Sequence, residues 1–261
     1  RAWLGACEAF ALADKAAALG PEDLELLATA AYLAGRDDDY LMTLERAHQA
    51  HLDVGQAVRA ARCAFWLGLR LLFRAEAGRA SGWLARAQRL LDQEGSDCVE
   101  RGYLLLPQVQ QQIDAGDGAA AFATAKSAAG IGERFGEPDL TACARHLQGL
   151  ALMQQGQVKP GLALLDEAMI AVAAGELSPL ITGLIYCSVI EGCQQVYALD
   201  RAREWTSALG QWCAAQPEMI AFSGVCQVHR AEIMQLRGEW PEAIAEAQRA
   251  ADAVGLRLVP G

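Results

Sequence analysis

The chain has 261 residues, 53% of them hydrophobic and only 7% aromatic, and 22 basic against 32 acidic side chains leave a formal net charge of −10. That acidic balance excludes the clustered Lys and Arg that grip a nucleic-acid backbone, so no nucleic acid is expected to bind through this segment. No uncharged apolar run reaches the length of a membrane span, and no signal-peptide pattern opens the chain, which leaves the membrane out as well. Alanine and leucine dominate the apolar set, sustained Val/Ile/Thr alternation is missing, and scattered Glu, Arg and Gln favour helix, so the expected class is all-α. The eight cysteines contain no CxxC pair and sit mostly among apolar residues, the pattern of free thiols in a reducing cytoplasm. Arg1 opens the chain inside a helical pattern and Val259-Pro260-Gly261 closes it, which reads as a fragment of a longer protein.

In chain order, helical hairpins recur. Residues 1–20 supply only a second helix, with Ala6, Phe10 and Ala13 as its buried stripe. The next hairpin, 22–54, turns at Gly35 and places Asp37, Asp38 and Asp39 at a helix start, where the macrodipole favours negative charge. The hairpin 58–91 carries Trp66, Leu67 and Gly68 in its first helix and Ala80, Leu84 and Ala87 in its second. Residues 98–135 turn at Gly116, and Pro107 should kink the first helix. Residues 140–174 turn at Gly156 between Gly149 and Gly161, and 180–214 are expected to need a longer turn at Tyr197 to Asp200. The last hairpin, 219–252, ends its first helix at Gly238, starts its second near Pro241 and buries Ala243, Ile244, Ala247 and Ala250. One small residue opens each second helix, at Ala6, Thr43, Ala80, Ala121, Gly161, Ala202 and Ala243, spaced 37 to 41 residues apart. The expected architecture is a single right-handed α-solenoid of antiparallel hairpins.

Leu-Gly in the first helix, glycine at the turn, then a small residue, a larger apolar one and an alanine resemble the tetratricopeptide repeat. Residues 140–174 and 219–252 match that pattern best; Val109 and Ile190 stand where it has a small residue. The blocks 61–69 (ARCAFWLGL), 82–91 (GWLARAQRLL), 164–168 (LLDEA), 201–205 (RAREW) and 228–240 (VHRAEIMQLRGEW) resemble the repeat region of bacterial LuxR-type transcription regulators. That resemblance implies a sensor region followed by a C-terminal helix-turn-helix DNA-binding domain. The residues up to Gly261 are expected to stop before such a domain, since no basic recognition-helix pattern follows Ala250.

Motifs for chemistry are sparse. Gly130, Gly132 and Gly136 approximate a phosphate-binding loop, but the last glycine is one residue late and no strand precedes it, so a helix end and connector is expected. Glu45, His48 and His51 share one helix face and are expected to be a solvated face, since no further ligands converge there. Cys143 with His146 and Cys226 with His229 each span one turn, two repeats apart, too far to share one metal. Neither catalytic residues, a metal nor a cofactor is expected. The concave face of such a solenoid is lined by the first helices, and the side chains expected there are Arg62, Phe65, Leu69, Tyr103, Leu106, Gln110, His146, Leu150, Leu184, Cys187, Glu191, Val228 and Glu232. This mostly apolar set with a few polar groups fits a groove for a small molecule or peptide effector, or else packing inside a tightly wound superhelix. The alternative function is a scaffold that holds a protein partner or forms a homodimer.

Overall fold

The computed structural model describes residues 2–216 and 218–253, and the tail beyond Ala253, including Val259-Pro260-Gly261, lies outside the described residues. Thirteen α-helices and no strand occur among them: α1 (Trp3–Ala16), α2 (Pro21–Leu33), α3 (Asp37–Asp53), α4 (Ala57–Phe73), α5 (Ala77–Glu94), α6 (Glu100–Asp114), α7 (Gly118–Phe135), α8 (Pro138–Gln154), α9 (Val158–Ala173), α10 (Pro179–Gln195), α11 (Leu199–Ala214), α12 (Ser223–Leu236) and α13 (Trp240–Ala253). Neighbouring helices pack in pairs, the all-α, solenoid-like arrangement expected of the sequence.

Local chemistry sets the helix boundaries. Pro21, Pro138 and Pro179 occupy the first turns of α2, α8 and α10, where the missing amide costs nothing. Asp37, Asp38 and Asp39 fall in the first turn of α3. At the other end, the first helix of each hairpin stops on a left-handed residue: Gly35, Ala75, Gly116, Gly156, Tyr197 or Gly238. The turn is closed by a pair of backbone bonds, Gly156 N–H to Met153 C=O at 2.9 Å and Gln157 N–H to Leu152 C=O at 2.9 Å, which satisfy the last carbonyls of α8.

Two expectations change here. The α10–α11 turn is no longer than the others; Tyr197 takes the glycine position and its φ is 57°, with Ala198 N–H bonded to Cys193 C=O at 2.8 Å. In the second hairpin the residue five positions after the turn is Tyr40, not Thr43. Counted from the turn residues, the repeat is 40 or 41 residues from Gly35 to Gly238, and with Tyr40 in place of Thr43 the spacing to Ala80 becomes 40.

Left-handed backbone costs a side-chain-bearing residue about 1–2 kcal/mol, while added unfolded-state freedom offsets about 0.4–1 kcal/mol of any gain from glycine. Tyr197, which is 75% exposed and loses little packing, should therefore gain about 0.5–1 kcal/mol on Tyr197→Gly. Urea unfolding measures it, and a lower midpoint than wild type would sink the prediction.

Buried side chains form one extended core through α4–α12, a second at the N-terminal end and a small third between α4 and α5 around Ala64, Ala87 and Leu91. The second core takes Cys7, Leu24, Tyr32, Leu33 and Tyr40 from α1–α3 and completes itself with Met219 and Phe222 from the far end of the chain. Helix α2 also packs on α10. The Leu33 carbonyl accepts from Ile220 N at 2.9 Å and Ala221 N at 3.3 Å, and Phe222 stacks near Tyr32 at 5.9 Å. The array thus laps onto its own beginning, and residues 218–222 fill part of the space between.

Candidate functional site

Counting back from the left-handed turn residue sorts the expected concave residues into rows. Ten back stand Phe65, Leu106, His146, Cys187 and Val228; six back stand Leu69, Gln110, Leu150, Glu191 and Glu232; thirteen back stand Arg62, Tyr103 and Leu184. The same count from Gly35 gives Glu25 and Thr29 on α2, two residues outside the expected concave set.

The structure separates these residues. Phe65, Tyr103, Leu106 and His146 are buried, with Leu69, Leu150 and Leu184 packed half-buried against the core. Cys187 is half-buried against the N-terminal core. Gln110, Glu191, Val228 and Glu232 are exposed; Gln110 donates to Asp114, and Val228 and Glu232 line a shallow depression with Trp240 and Ile244 on the last hairpin.

Where the array laps, a cavity of about 200 Å³ opens between α2, α3, α4 and the N-terminal ends of α8 and α10. Its lining includes Glu25 and Thr29 of α2, Arg62, Cys63 and Trp66 of α4, and Asp139 and Leu180 of the later helices. Arg62 alone among the expected residues is in that lining. It donates to Glu137 Oε1 at 2.7 Å and to the Tyr103 hydroxyl at 3.3 Å, and stands 5.1 Å from the Tyr103 ring centroid. Tyr103 in turn donates to Glu137 Oε1 at 2.7 Å. Burial opposes the Arg62 charge, but Tyr103, Glu137 and Glu100 more than compensate and raise its pKa; burial likewise pushes the Tyr103 phenol up. Asp139 Oδ1 accepts from Ser178 N at 2.9 Å, which ties α8 to the start of α10 across the cavity.

Deeper in the wall, Glu25 meets His51 Nε2 at 2.6 Å, Arg59 at 2.7 Å and the Cys63 thiol at 3.8 Å. Burial, reinforced by Glu25, pushes that thiol up to about 12. The expectation of a solvated Glu45–His48–His51 face is corrected: His48 and His51 are 2% and 0% exposed. They also diverge. His48 Nδ1 lies 2.8 Å from the Ala60 carbonyl, its ring edge-on to Trp83, while Glu45 faces Arg79 at 3.6 Å. Gly130 and Gly132 lie within α7, and Gly136 caps it with φ 63°.

His146 is the buried titrating group of the rows. Burial lowers its pKa to about 4, the nearby Ala142 and Cys143 carbonyls offsetting only part of that, and Nδ1 lacks a well-formed hydrogen bond. An unfolded His titrates near 6.5, so the unfolded chain binds the proton more tightly. The stabilising contribution is present above about pH 6.5 and is lost as pH falls toward 4. Between pH 7 and 4.5 wild type should lose about 2.5 kcal/mol more than His146→Leu. Urea titrations at the two pH values check this; parallel losses in both proteins would refute it.

No helix among the described residues is long and apolar enough to cross a membrane, and all eight cysteines are free thiols. No protein-family model matches the chain, and no curated protein matches it.

Proposed function

We propose that the chain is an effector-sensing helical-repeat module that takes a small molecule bearing a cationic nitrogen into the cavity at the lap. The observation that carries this is the lining itself: Asp139 presents a carboxylate to the cavity, bonded to the Ser178 amide, while Glu137 engages the Arg62 guanidinium and Arg59 engages Glu25. Trp66 adds an aromatic face of the kind that attracts cations. Because the cavity draws on α2, α4, α8 and α10, an occupant would tighten the lap between the two ends of the array and alter the surface offered to an attached domain. The resemblance to LuxR-type regulators makes that domain a DNA-binding one, and the setting bacterial cytoplasm.

The test is a thermal-shift panel of small amines and amino acids alongside neutral and anionic analogues of the same size. Cationic members should raise Tm in wild type and lose the effect in Asp139→Asn, which keeps an acceptor for Ser178 N. A panel without hits, or hits that stabilise Asp139→Asn equally, would overturn the proposal.

A second function, a protein-binding scaffold, draws support from the last hairpin. Val228, Trp240 and Ile244 are 44%, 57% and 69% exposed on one apolar surface, the sort of face that helix docking buries. Sedimentation of wild type against Ile244→Glu tests self-association there.

A further inference from the structure

We propose that Glu25, His51 and Cys63 form a binding site for one divalent metal ion of the zinc type, clamped between α2, α3 and α4. Each helix contributes one ligand atom, and the three atoms lie within 4.8 Å of one another. Zinc-type metals bind carboxylate oxygen, imidazole nitrogen and thiolate sulfur at about 2.0–2.3 Å, which sets tetrahedral ligands about 3.5 Å apart. Glu25 Oε1 now stands 2.6 Å from His51 Nε2 and 3.8 Å from Cys63 Sγ, so small side-chain rotations bring the set to that spacing.

The surroundings support such a site. His51 Nδ1 is 2.6 Å from Gln56 Oε1, a partner that fixes the ring and directs Nε2 toward the other two ligands, as the outer partners of metal-bound imidazoles do. A hydrogen shared between Nε2 and the Glu25 carboxylate spans the 2.6 Å between them, the position that an ion would take. Arg59 donates to both Glu25 oxygens, Nη2 to Oε2 at 2.7 Å and Nε to Oε1 at 3.2 Å, and stabilises Glu25 in its orientation. His51 and Cys63 are buried, while Glu25 and Cys63 both border the cavity. Three protein ligands therefore leave the fourth coordination position on the cavity side, where water or a small molecule reaches it.

The exchange balances. Binding releases the Cys63 thiol proton to solvent, and the imidazole coordinates through Nε2 while its hydrogen sits on Nδ1 toward Gln56 Oε1. Nitrogen, sulfur and oxygen together favour zinc or iron(II) over magnesium or calcium, which prefer oxygen alone.

This site does not depend on a cationic effector: Asp139→Asn tests the effector, and Cys63→Ser tests the metal. Zn²⁺ is titrated into the full chain in competition with a chromophoric chelator. One equivalent is expected, with affinity falling about 100-fold or more in Cys63→Ser and in Glu25→Gln and unchanged in Glu45→Gln. Co²⁺ should give a near-ultraviolet thiolate charge-transfer band in wild type that is absent from Cys63→Ser. A wild type that leaves Zn²⁺ with the chelator would overturn the site, and so would Cys63→Ser retaining both affinity and band.

Discussion

Replacing Gly161 with leucine should lower stability by about 3 kcal/mol or more, the upper end of what overpacking a core costs. A Cβ there would lie 2.6 Å from the Gly149 carbonyl oxygen and 3.2 Å from the Met153 amide nitrogen, and would collide with Met153 Cγ. Two of those three atoms are backbone, so relief requires moving α8 away from α9 rather than turning a side chain. Gly149 meets the same crossing from the other side, where an added Cβ would lie 2.8 Å from the Gly161 oxygen. The matched comparison is Gly130, which sits inside α7 with open space around its Cβ direction. Gly130→Ala should instead gain up to about 1 kcal/mol through helix propensity. Urea unfolding of the pair reads both signs, and equal midpoints would show that the close crossing is not there.

Phe222→Ala should cost about 3–5 kcal/mol, the range for truncating a buried aromatic, and the loss should fall unevenly on the structure. Phe222 is 3% exposed, stands 5.9 Å from both Tyr32 and Trp212 ring to ring, and covers Gly183. From the start of the seventh hairpin it therefore touches the second, at Tyr32, and the sixth, at Gly183 and Trp212. Hydrogen exchange should show the Ile220 and Ala221 amides, which bond to Leu33, exchanging faster while amides of α8 and α9 keep their protection. Exchange rising equally everywhere would mean that the lap is not a separable unit.

The helical class and most turns could be read from the residues, because glycine marks the left-handed position at Gly35, Gly116, Gly156 and Gly238. Tyr197 was misread for the same reason: it adopts that backbone without the residue type that advertises it. Alanine abundance hid the register of the second hairpin, where Thr43 looked like the small opening residue and Tyr40 holds the place. Arg62 lines the cavity at a position that counting from the turn identifies, because its hairpin is in register. Glu25 and Thr29 were omitted, although the ten- and six-residue offsets from Gly35 identify both. Asp139 was beyond such counting, since it reaches the cavity only because α2 meets α10. Likewise no linear motif joins Glu25, His51 and Cys63, one residue from each of three successive helices.

The bonds from Ile220 and Ala221 to Leu33 bear on how the chain folds. Most contacts in a helical array are local, so its helices and hairpins form quickly and can fray from either end. A contact between residues so far apart must wait until nearly every intervening hairpin is in place, because until then the chain-closure entropy is not offset. Once made, it ties the end of α2 to the segment before α12, and neither can separate without breaking these bonds. Assembly should run as a sequence of neighbour additions with one late closing step, whereas melting should begin at that step and then spread.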